Sequence, residues 1–329
     1  MNDFIEKRVT EWALSDSEIR EVNFRIIHLE KRLFSDYVPC KYHDSDFFIR
    51  LKNWLGNITD TNDQKALFEI IPNFFYVGDE EINSLYRSAY NIEIAKWLID
   101  VVPINFRDTD NETVLKQAVI DTWFCPITDS FSINDFFKIN NIPSRFDLRP
   151  DWHSLTELSD PSAISDYVTR NNIKRIVMLE DFVGSGSQVA SRVIFACTCL
   201  PIVEILCISL ITCPIGVTTL NALTSRFGNL TVKHIIEIPA EYLISKTIAT
   251  GEQLIYTNIR DLANRSYLTV TDGLLPGPKP YYPLGYKETG GLIILNTNVP
   301  DNSLPLIHHT SNTWVPLFKR ITSVMSLIL

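Results

Sequence analysis

Residues 174–188 read Lys-Arg-Ile-Val-Met-Leu-Glu-Asp-Phe-Val-Gly-Ser-Gly-Ser-Gln, an apolar run that ends in two acids and a turn of small residues. The apolar residues Ile176 to Leu179 are too few for a buried helix and predict a strand. Gly184 and Gly186 permit a sharp bend, because glycine tolerates a positive φ. The stretch therefore predicts a buried strand followed by a tight turn.

A helix is predicted directly after this turn. Ser187 can serve as its N-cap. Apolar residues follow at helical spacing, namely Val189, Val193, Ile194, Cys197 and Leu200. Free backbone N–H groups and the positive end of the helix dipole meet at such a helix start. The strand, the Gly-Ser turn and the helix N-terminus together predict an anion-binding site.

The acid pair Glu180 and Asp181 narrows the kind of ligand. The turn contains no lysine, which excludes a Walker loop, and no third glycine follows Gly186 at the spacing of a dinucleotide fingerprint. Two carboxylates would repel a phosphate unless they face another part of the ligand. They can accept hydrogen bonds from the 2′- and 3′-hydroxyls of a ribose while the turn holds a 5′-phosphate.

Residues 176–188 resemble the phosphoribosyl pyrophosphate (PRPP) motif of type I phosphoribosyltransferases. That motif has four apolar residues, two acids, two apolar residues and a small-residue loop, and Gly186 and Ser187 fall on its Gly and Thr positions. The resemblance implies that Glu180 and Asp181 hold the ribose. It also implies Mg²⁺ carried by PRPP, and a 5′-phosphate loop that consists of Gly184, Ser185, Gly186, Ser187 and Gln188. Glu180 stands where the commonest form of the motif has Asp.

Two other interpretations of the stretch stay open. The first is a plain Gly-Ser connection in an α/β domain, because turns between strands and helices are common. The second is an S-adenosylmethionine-dependent methyltransferase, because residues 181–187 are similar to the Asp-Pro-Phe-x-Gly-Ser-Gly-Thr loop of amino-methyltransferases. Those enzymes also carry a Pro-Pro-Tyr/Phe motif, and the chain has no Pro-Pro pair. This absence disfavours the methyltransferase.

Length and composition indicate an ordinary globular protein. The chain has 329 residues, of which 45% are hydrophobic and 21% charged, with a net charge of −9 that gives no general attraction to nucleic acid or membrane. Residues 1–8 contain no apolar signal region and no apolar run approaches the ~18 residues of a membrane span, which predicts a cytoplasmic protein. The six cysteines form no C-x-x-C pair, so we expect reduced packing residues and no zinc site.

Hydrophobic periodicity predicts helices over 17–34, 47–55, 62–71 and 79–98, the last interrupted near Asn91. From residue 113 onward strands and helices alternate, with a helix at 161–170 and strands at 203–212 and 231–238. Alternation implies right-handed crossovers and ligands at the carboxyl ends of the strands. The predicted fold is α/β, with a doubly wound, mainly parallel sheet and an N-terminal helical layer. We divide it into a helical region, 1–112, and a phosphoribosyltransferase-like core with a C-terminal extension, 113–329.

Further site candidates come from loops. The turn over residues 125–130 carries Asp129 and Ser130, and the Pro-rich segment 275–285 carries Lys279. Arg145 lies between Pro143 and Pro150, and its planar guanidinium suits pyrophosphate oxygens. The alternative for Arg145 is a solvated loop residue, which is the usual environment of arginine.

Two segments near the C-terminus resemble those of a narrower group of proteins. Residues 300–305 read Pro-Asp-Asn-Ser-Leu-Pro and residues 314–320 read Trp-Val-Pro-Leu-Phe-Lys-Arg. Together with the acid-pair loop they resemble phosphoribosyltransferase-like proteins of bacterial conflict systems, including operons with retron-type reverse transcriptases. This implies an anti-phage defence component with protein partners from its operon. That group more often has aromatic residues where this chain has His308 and His309, which we predict to be an exposed, solvated pair.

Two functional classes follow from the sequence. The first is an enzyme that transfers phosphoribosyl with release of pyrophosphate, in which Glu180 and Asp181 also stabilise positive charge near C1′. The second is a non-catalytic module that senses a phosphoribosyl ligand or assembles with a partner, because a fold alone does not give an activity. No residue pattern identifies the acceptor.

Overall fold

The computed structural model describes residues 3–41, 46–104, 107, 109–143, 161–273 and 281–321. Its longer helices are α1 (Asp3–Trp12), α2 (Ile19–Arg32), α4 (Phe47–Gly56), α5 (Thr61–Ile70), α6 (Asp79–Ser88), α7 (Ala95–Val101), α8 (Asn111–Ile120), α9 (Ile133–Ile139), α10 (Pro161–Arg170), α11 (Ser187–Cys199), α12 (Pro214–Thr224) and α13 (Leu254–Val270). Two helices are short, α3 (Val38–Lys41) and α14 (Pro305–His308). No helix among the described residues is long and apolar enough to cross a membrane.

The predicted helices are observed within a few residues of their expected bounds. The predicted interruption near Asn91 is a π-helical segment, Ala89–Ile94, between α6 and α7. Asp46 and Asp60 begin α4 and α5, where each carboxylate accepts two hydrogen bonds from backbone amides of the first turn. Residues 113–123 contain the end of α8 and the start of a strand, in line with the alternation predicted from residue 113 onward.

Four parallel strands form the main sheet, in the order β2 (Thr122–Pro126), β3 (Arg175–Val183), β4 (Glu204–Thr212) and β5 (Leu230–Glu237). Two smaller sheets are a parallel pair, β1 (Phe75–Val77) with β8 (Ile293–Leu295), and an antiparallel pair, β6 (Tyr281–Tyr282) with β7 (Gly285–Tyr286). Strand β3 is almost entirely buried, because apolar layers cover it on both sides. The prediction of an α/β fold with a mainly parallel sheet is confirmed.

Neighbouring residues of β2 show that both faces of the main sheet are covered. The ring of Trp123 lies 5.6 Å from that of Tyr167 on α10. The ring of Phe124 lies 6.3 Å from that of Phe136 on α9 and 6.5 Å from that of Tyr90 in the π-helical segment. Since successive side chains of a strand point to opposite faces, α10 and α9 lie on opposite sides of the sheet.

The chain forms two compact units, residues 1–79 with 240–329, and residues 80–239. This division by packing differs from the predicted division at residue 112. The first unit has its own core, in which α1, α2, α4 and α5 contribute buried apolar residues together with α13 and the segment 284–318. The indole N–H groups of Trp54 and Trp314 both donate to the carbonyl oxygen of Leu306, at 2.7 and 3.0 Å. The N-terminal helices therefore need the C-terminal segment to complete their core.

The ending over residues 300–305 is part of this core. The Asn302 amide donates to Thr289 Oγ1 at 2.8 Å, and the Ser303 hydroxyl donates to the Ile293 carbonyl at 2.7 Å. Gly285 has φ +82°, and a Cβ on it would lie 2.5 Å from the Ser303 carbonyl oxygen. Gly285 thus allows close packing, and the Ser303 hydroxyl supplies a hydrogen-bond donor for a buried backbone carbonyl.

The prediction that His308 and His309 form an exposed, solvated pair was wrong. His308 is buried, with its Nε2 3.2 Å from the Ser303 carbonyl oxygen, and His309 is half-buried. Burial, together with the positive charge of Arg320, lowers the pKa of His308 to about 3. Helix α14 carries His308 inward with Leu306 and Ile307, because residues 305–308 are buried throughout.

Candidate functional site

The candidate site lies at the carboxyl ends of β2 and β3 in the second unit. The two strands run parallel, with Pro126 opposite Leu179, and Ile127 continues the ladder by donating its N–H to the Leu179 carbonyl at 2.8 Å. The next residues of each chain segment, the turn over 128–130 and the acid pair, must therefore lie side by side. Parallel pairing thus brings together residues that are fifty positions apart in the sequence.

Glu180 and Asp181 are buried at this edge, with 4% and 7% of their surfaces exposed. The Thr128 hydroxyl donates to Glu180 Oε1 at 2.7 Å, and the Ser130 hydroxyl donates to Asp181 Oδ1 at 2.8 Å. The two hydroxyl oxygens are 2.8 Å apart. The Phe182 backbone N–H also donates to Asp181 Oδ1 at 2.8 Å. Glu180 Oε2 is buried without a hydrogen-bond partner. The pair is therefore only partly satisfied, which is unusual for buried carboxylates.

The environment disfavours ionisation of both acids. Burial raises the pKa of Glu180 well above its ordinary value, and the neighbouring charge of Asp181 raises it further, against the hydrogen bond from Thr128. Burial likewise raises the pKa of Asp181, against the hydrogen bonds from Ser130 and the Phe182 amide. Such coupled, perturbed acids are typical of functional sites.

We expect Glu180→Gln to stabilise the protein more at pH 8 than at pH 5. The raised pKa means that the folded state keeps a proton on Glu180 that the unfolded state releases, so wild-type stability is lost as pH rises through the folded pKa. Glutamine does not titrate and avoids this loss. The gain in free energy of unfolding should reach on the order of 1 kcal/mol at pH 8. Urea unfolding of both proteins at pH 5 and pH 8 measures it.

Glu204→Gln is the matched control, because Glu204 is exposed at the opposite end of the sheet, where β4 begins. Its stability difference from wild type should be small at both pH values. A Glu180→Gln difference that is the same at pH 5 and pH 8 would contradict the inferred protonation.

The turn after β3 leads into α11 through a left-handed glycine. Gly186 is the N-cap residue with φ +77°, which confirms the predicted need for a positive φ. Ser187 was predicted as the N-cap and is instead the first helical residue, its Oγ 3.1 Å from Ser185 Oγ. Glycine takes the cap position because the backbone there is left-handed. Helix α11 has 13 residues, and its first-turn amides have no acceptor within the helix.

Helix α12 packs against the turn over residues 184–187. The Thr219 hydroxyl donates to the Ser185 carbonyl at 3.0 Å, and a Cβ on Gly216 would lie 2.6 Å from the Gly184 carbonyl oxygen. A Cβ on Gly186 would lie 3.0 Å from Thr219 Cβ. The turn is thus held by close backbone contact with helix α12, which begins at Pro214.

The structure brings together most, but not all, of the predicted site residues. Glu180, Asp181 and Ser130 are in one hydrogen-bonded group, with Gly184, Ser185, Gly186 and Ser187 in the adjoining turn. Asp129 and Gln188 are exposed. Arg145 and Lys279 lie outside the described residues. Thr128 and Thr219 were not among the predicted site residues, although Thr128 belongs to the same turn, 125–130, as the predicted Ser130.

All six cysteines are free, and five of them are buried. Among the described residues no group of three or more His, Cys, Asp or Glu side chains is arranged to hold a metal ion. Within the same residues, neither acid of the pair forms an ion pair with a lysine or arginine.

Comparison with known proteins gave one match. A family model described as PRTase-CE matches residues 51–320, which span most of the chain, including all of the second unit with the acid-pair turn and part of the first unit. No curated protein and no solved structure matched the chain.

Proposed function

The chain belongs to the PRTase-CE family and is phosphoribosyltransferase-like, and from this we propose that it binds PRPP or a related ribose 5-phosphate compound at the carboxyl edge of the main sheet. The observation that carries the proposal is the buried acid pair beside a glycine-capped helix start. Glu180 and Asp181 offer acceptors for a ribose diol, with Glu180 Oε2 unpartnered. The turn Gly184–Gln188 offers backbone amides for the 5′-phosphate.

In the proposed reaction the bond between C1′ and pyrophosphate breaks, and a nucleophile forms a new bond to C1′. Pyrophosphate leaves with the bonding electron pair. The chain's own residues hold the ribose through Glu180 and Asp181 and keep water away, since the acid pair is buried. When one acid of the pair ionises, its charge near C1′ also stabilises the positive charge that develops there. Mg²⁺ enters with PRPP as part of the substrate, which suits an ion that prefers phosphate oxygens and water to an all-protein cage.

A second candidate is a non-catalytic module that senses the same ligand or assembles with a partner. It is favoured by one observation: among the described residues, which do not include Arg145 and Lys279, no lysine or arginine forms an ion pair with either acid. Release of pyrophosphate from PRPP separates the two candidates, because a sensor binds PRPP without cleaving it.

We further propose that the protein acts in bacterial anti-phage defence, with protein partners from its operon. The support is the resemblance of the endings at 300–305 and 314–320 to proteins of conflict systems, including retron-associated ones. Phage plating on cells that carry the operon, with wild-type protein or with a variant of the acid pair, tests this role. Equal plating on both, and on cells without the operon, would refute it.

Titration calorimetry is expected to show binding of PRPP and none of S-adenosylmethionine. The acid pair suits a diol in both ligands, but only PRPP brings a 5′-phosphate for the amides of the turn. Adenosine, which has the diol but lacks the phosphate, serves as the control and should bind weakly. Micromolar binding of S-adenosylmethionine with no heat from PRPP would support the methyltransferase instead.

A further inference from the structure

The hydroxyls of Thr128 and Ser130 hold the acid pair in the way that a ribose diol would. They lie 2.8 Å apart, and each donates to one carboxylate, Thr128 to Glu180 at 2.7 Å and Ser130 to Asp181 at 2.8 Å. A ribose presents two hydroxyls on adjacent carbons at a comparable separation, and each can donate to a carboxylate. We propose that this hydroxyl pair occupies the diol position of the ligand site, so that residues 128–130 must move before a ribose compound binds. The inference rests on the proposed function.

The anchoring of the turn suits such a movement. Ile127 is buried and bonded to the backbone of β3 at 2.8 Å, and Phe131 is buried with its ring 5.2 Å from that of Tyr86 and 5.8 Å from that of Phe136. Between these two anchors, Thr128 is half-buried and Ser130 is exposed. The three residues 128–130 can therefore turn outward without loss of a core contact by Ile127 or Phe131.

The chemistry explains why the chain supplies its own donors. Buried carboxylates without hydrogen bonds are costly, so an empty acid pair needs donors from the protein. A ribose diol would replace the two hydroxyl donors one for one. Glu180 Oε2, which has no partner, can accept one more bond from a ligand or a water. This additional acceptor favours the ligand over the hydroxyl pair.

The closed turn lowers the apparent affinity, because only the open fraction of the protein binds. When the open state holds about 1–10% of the molecules, removal of the closing contact tightens binding about 10- to 100-fold. The opposite is expected if Thr128 and Ser130 merely position the acids, since their removal would then weaken binding.

The test uses the full chain with Thr128→Val and Ser130→Ala combined, titrated with ribose 5-phosphate and with 2-deoxyribose 5-phosphate. We expect ribose 5-phosphate to bind about 10- to 100-fold more tightly to this variant than to wild type. The gain for the deoxy compound should be smaller, because a single hydroxyl needs to displace only one member of the pair. The control variant, Thr169→Val with Thr224→Val, removes two exposed hydroxyls that donate to helix backbone carbonyls, and should leave both affinities unchanged.

The outcomes separate this inference from the proposed function. If wild type binds ribose 5-phosphate and the variant binds it equally or less tightly, the proposed function stands and the displaced hydroxyl pair is overturned. If neither protein binds either sugar phosphate, the proposed function and this inference both fail. If the double variant does not fold, Ser130→Ala alone tests the inference. Ser130 is exposed, and its substitution removes only the hydrogen bond to Asp181. A smaller gain in affinity supports the inference, and no gain overturns it.

Discussion

Replacement of both acids, Glu180→Gln with Asp181→Asn, is expected to abolish measurable binding of PRPP while the protein stays folded. Hydrogen bonds contribute about 0.5–1.5 kcal/mol each, and those to an ionised carboxylate about 1.5–3 kcal/mol. The two acids are in contact with the same hydroxyl pair, so their effects need not add. A loss on the order of 3 kcal/mol still weakens binding at least about 100-fold. Titration calorimetry measures the affinity, and circular dichroism checks the fold.

The fold should survive because the substitutions keep size and hydrogen-bond acceptors. Gln and Asn side-chain oxygens can accept from Thr128 and Ser130 as the carboxylates do. The matched control, Asp166→Asn with Glu204→Gln, removes two exposed acids from the same unit and should bind PRPP like wild type. Unfolding of the acid-pair variant alone would assign the pair a structural role. If the acid-pair variant is folded and binds PRPP like wild type, the proposal that the acid pair holds the ribose is wrong.

The same variant also distinguishes the two candidate functions. If wild-type protein releases pyrophosphate and the variant does not, the acid pair belongs to an enzyme. If wild-type protein releases none with any acceptor or operon partner, while the variant alters assembly or phage protection, the sensor is supported. Ligand binding alone is common to both functions and cannot decide between them.

Local patterns predicted the centre of the fold well. We predicted a strand, a turn and a helix from residues 176–188. All three are present, and β3 extends to Val183. These features are local, because four apolar residues beside glycines have few ways to fold. The N-cap was misplaced by one residue, since a serine and a left-handed glycine are both good starts for a helix.

Features that depend on distant parts of the chain were missed. Thr128 reaches Glu180 only because β2 and β3 run in parallel with Pro126 opposite Leu179, a register that no local pattern specifies. Likewise β1 pairs with β8, more than two hundred residues later. The burial of His308 depends on Ser303 and on the surrounding core, so a histidine pair that looked solvated in the sequence was buried in the fold.

Gly186→Val is expected to destabilise the second unit by about 2–5 kcal/mol and to abolish PRPP binding. A non-glycine residue in the left-handed region costs roughly 1–2 kcal/mol, and overpacking adds typically about 1–3 kcal/mol. The reason for both effects is steric, because the Cβ would point at helix α12, 3.0 Å from Thr219 Cβ and 3.3 Å from Gly216 Cα.

The substitution is expected to displace the turn over residues 184–187, because this turn packs closely against α12. The two segments are in close backbone contact, because a Cβ on Gly216 would lie 2.6 Å from the Gly184 carbonyl oxygen. We expect the strain to move residues 184–187 outward and to turn the first amides of α11 away from the phosphate. Urea unfolding and PRPP titration measure the two effects, with Gly228→Val as the control, because a Cβ on Gly228 meets nothing within 4 Å. Equal effects of the two substitutions, or retained PRPP binding in Gly186→Val, would show that the geometry of this turn does not determine ligand binding.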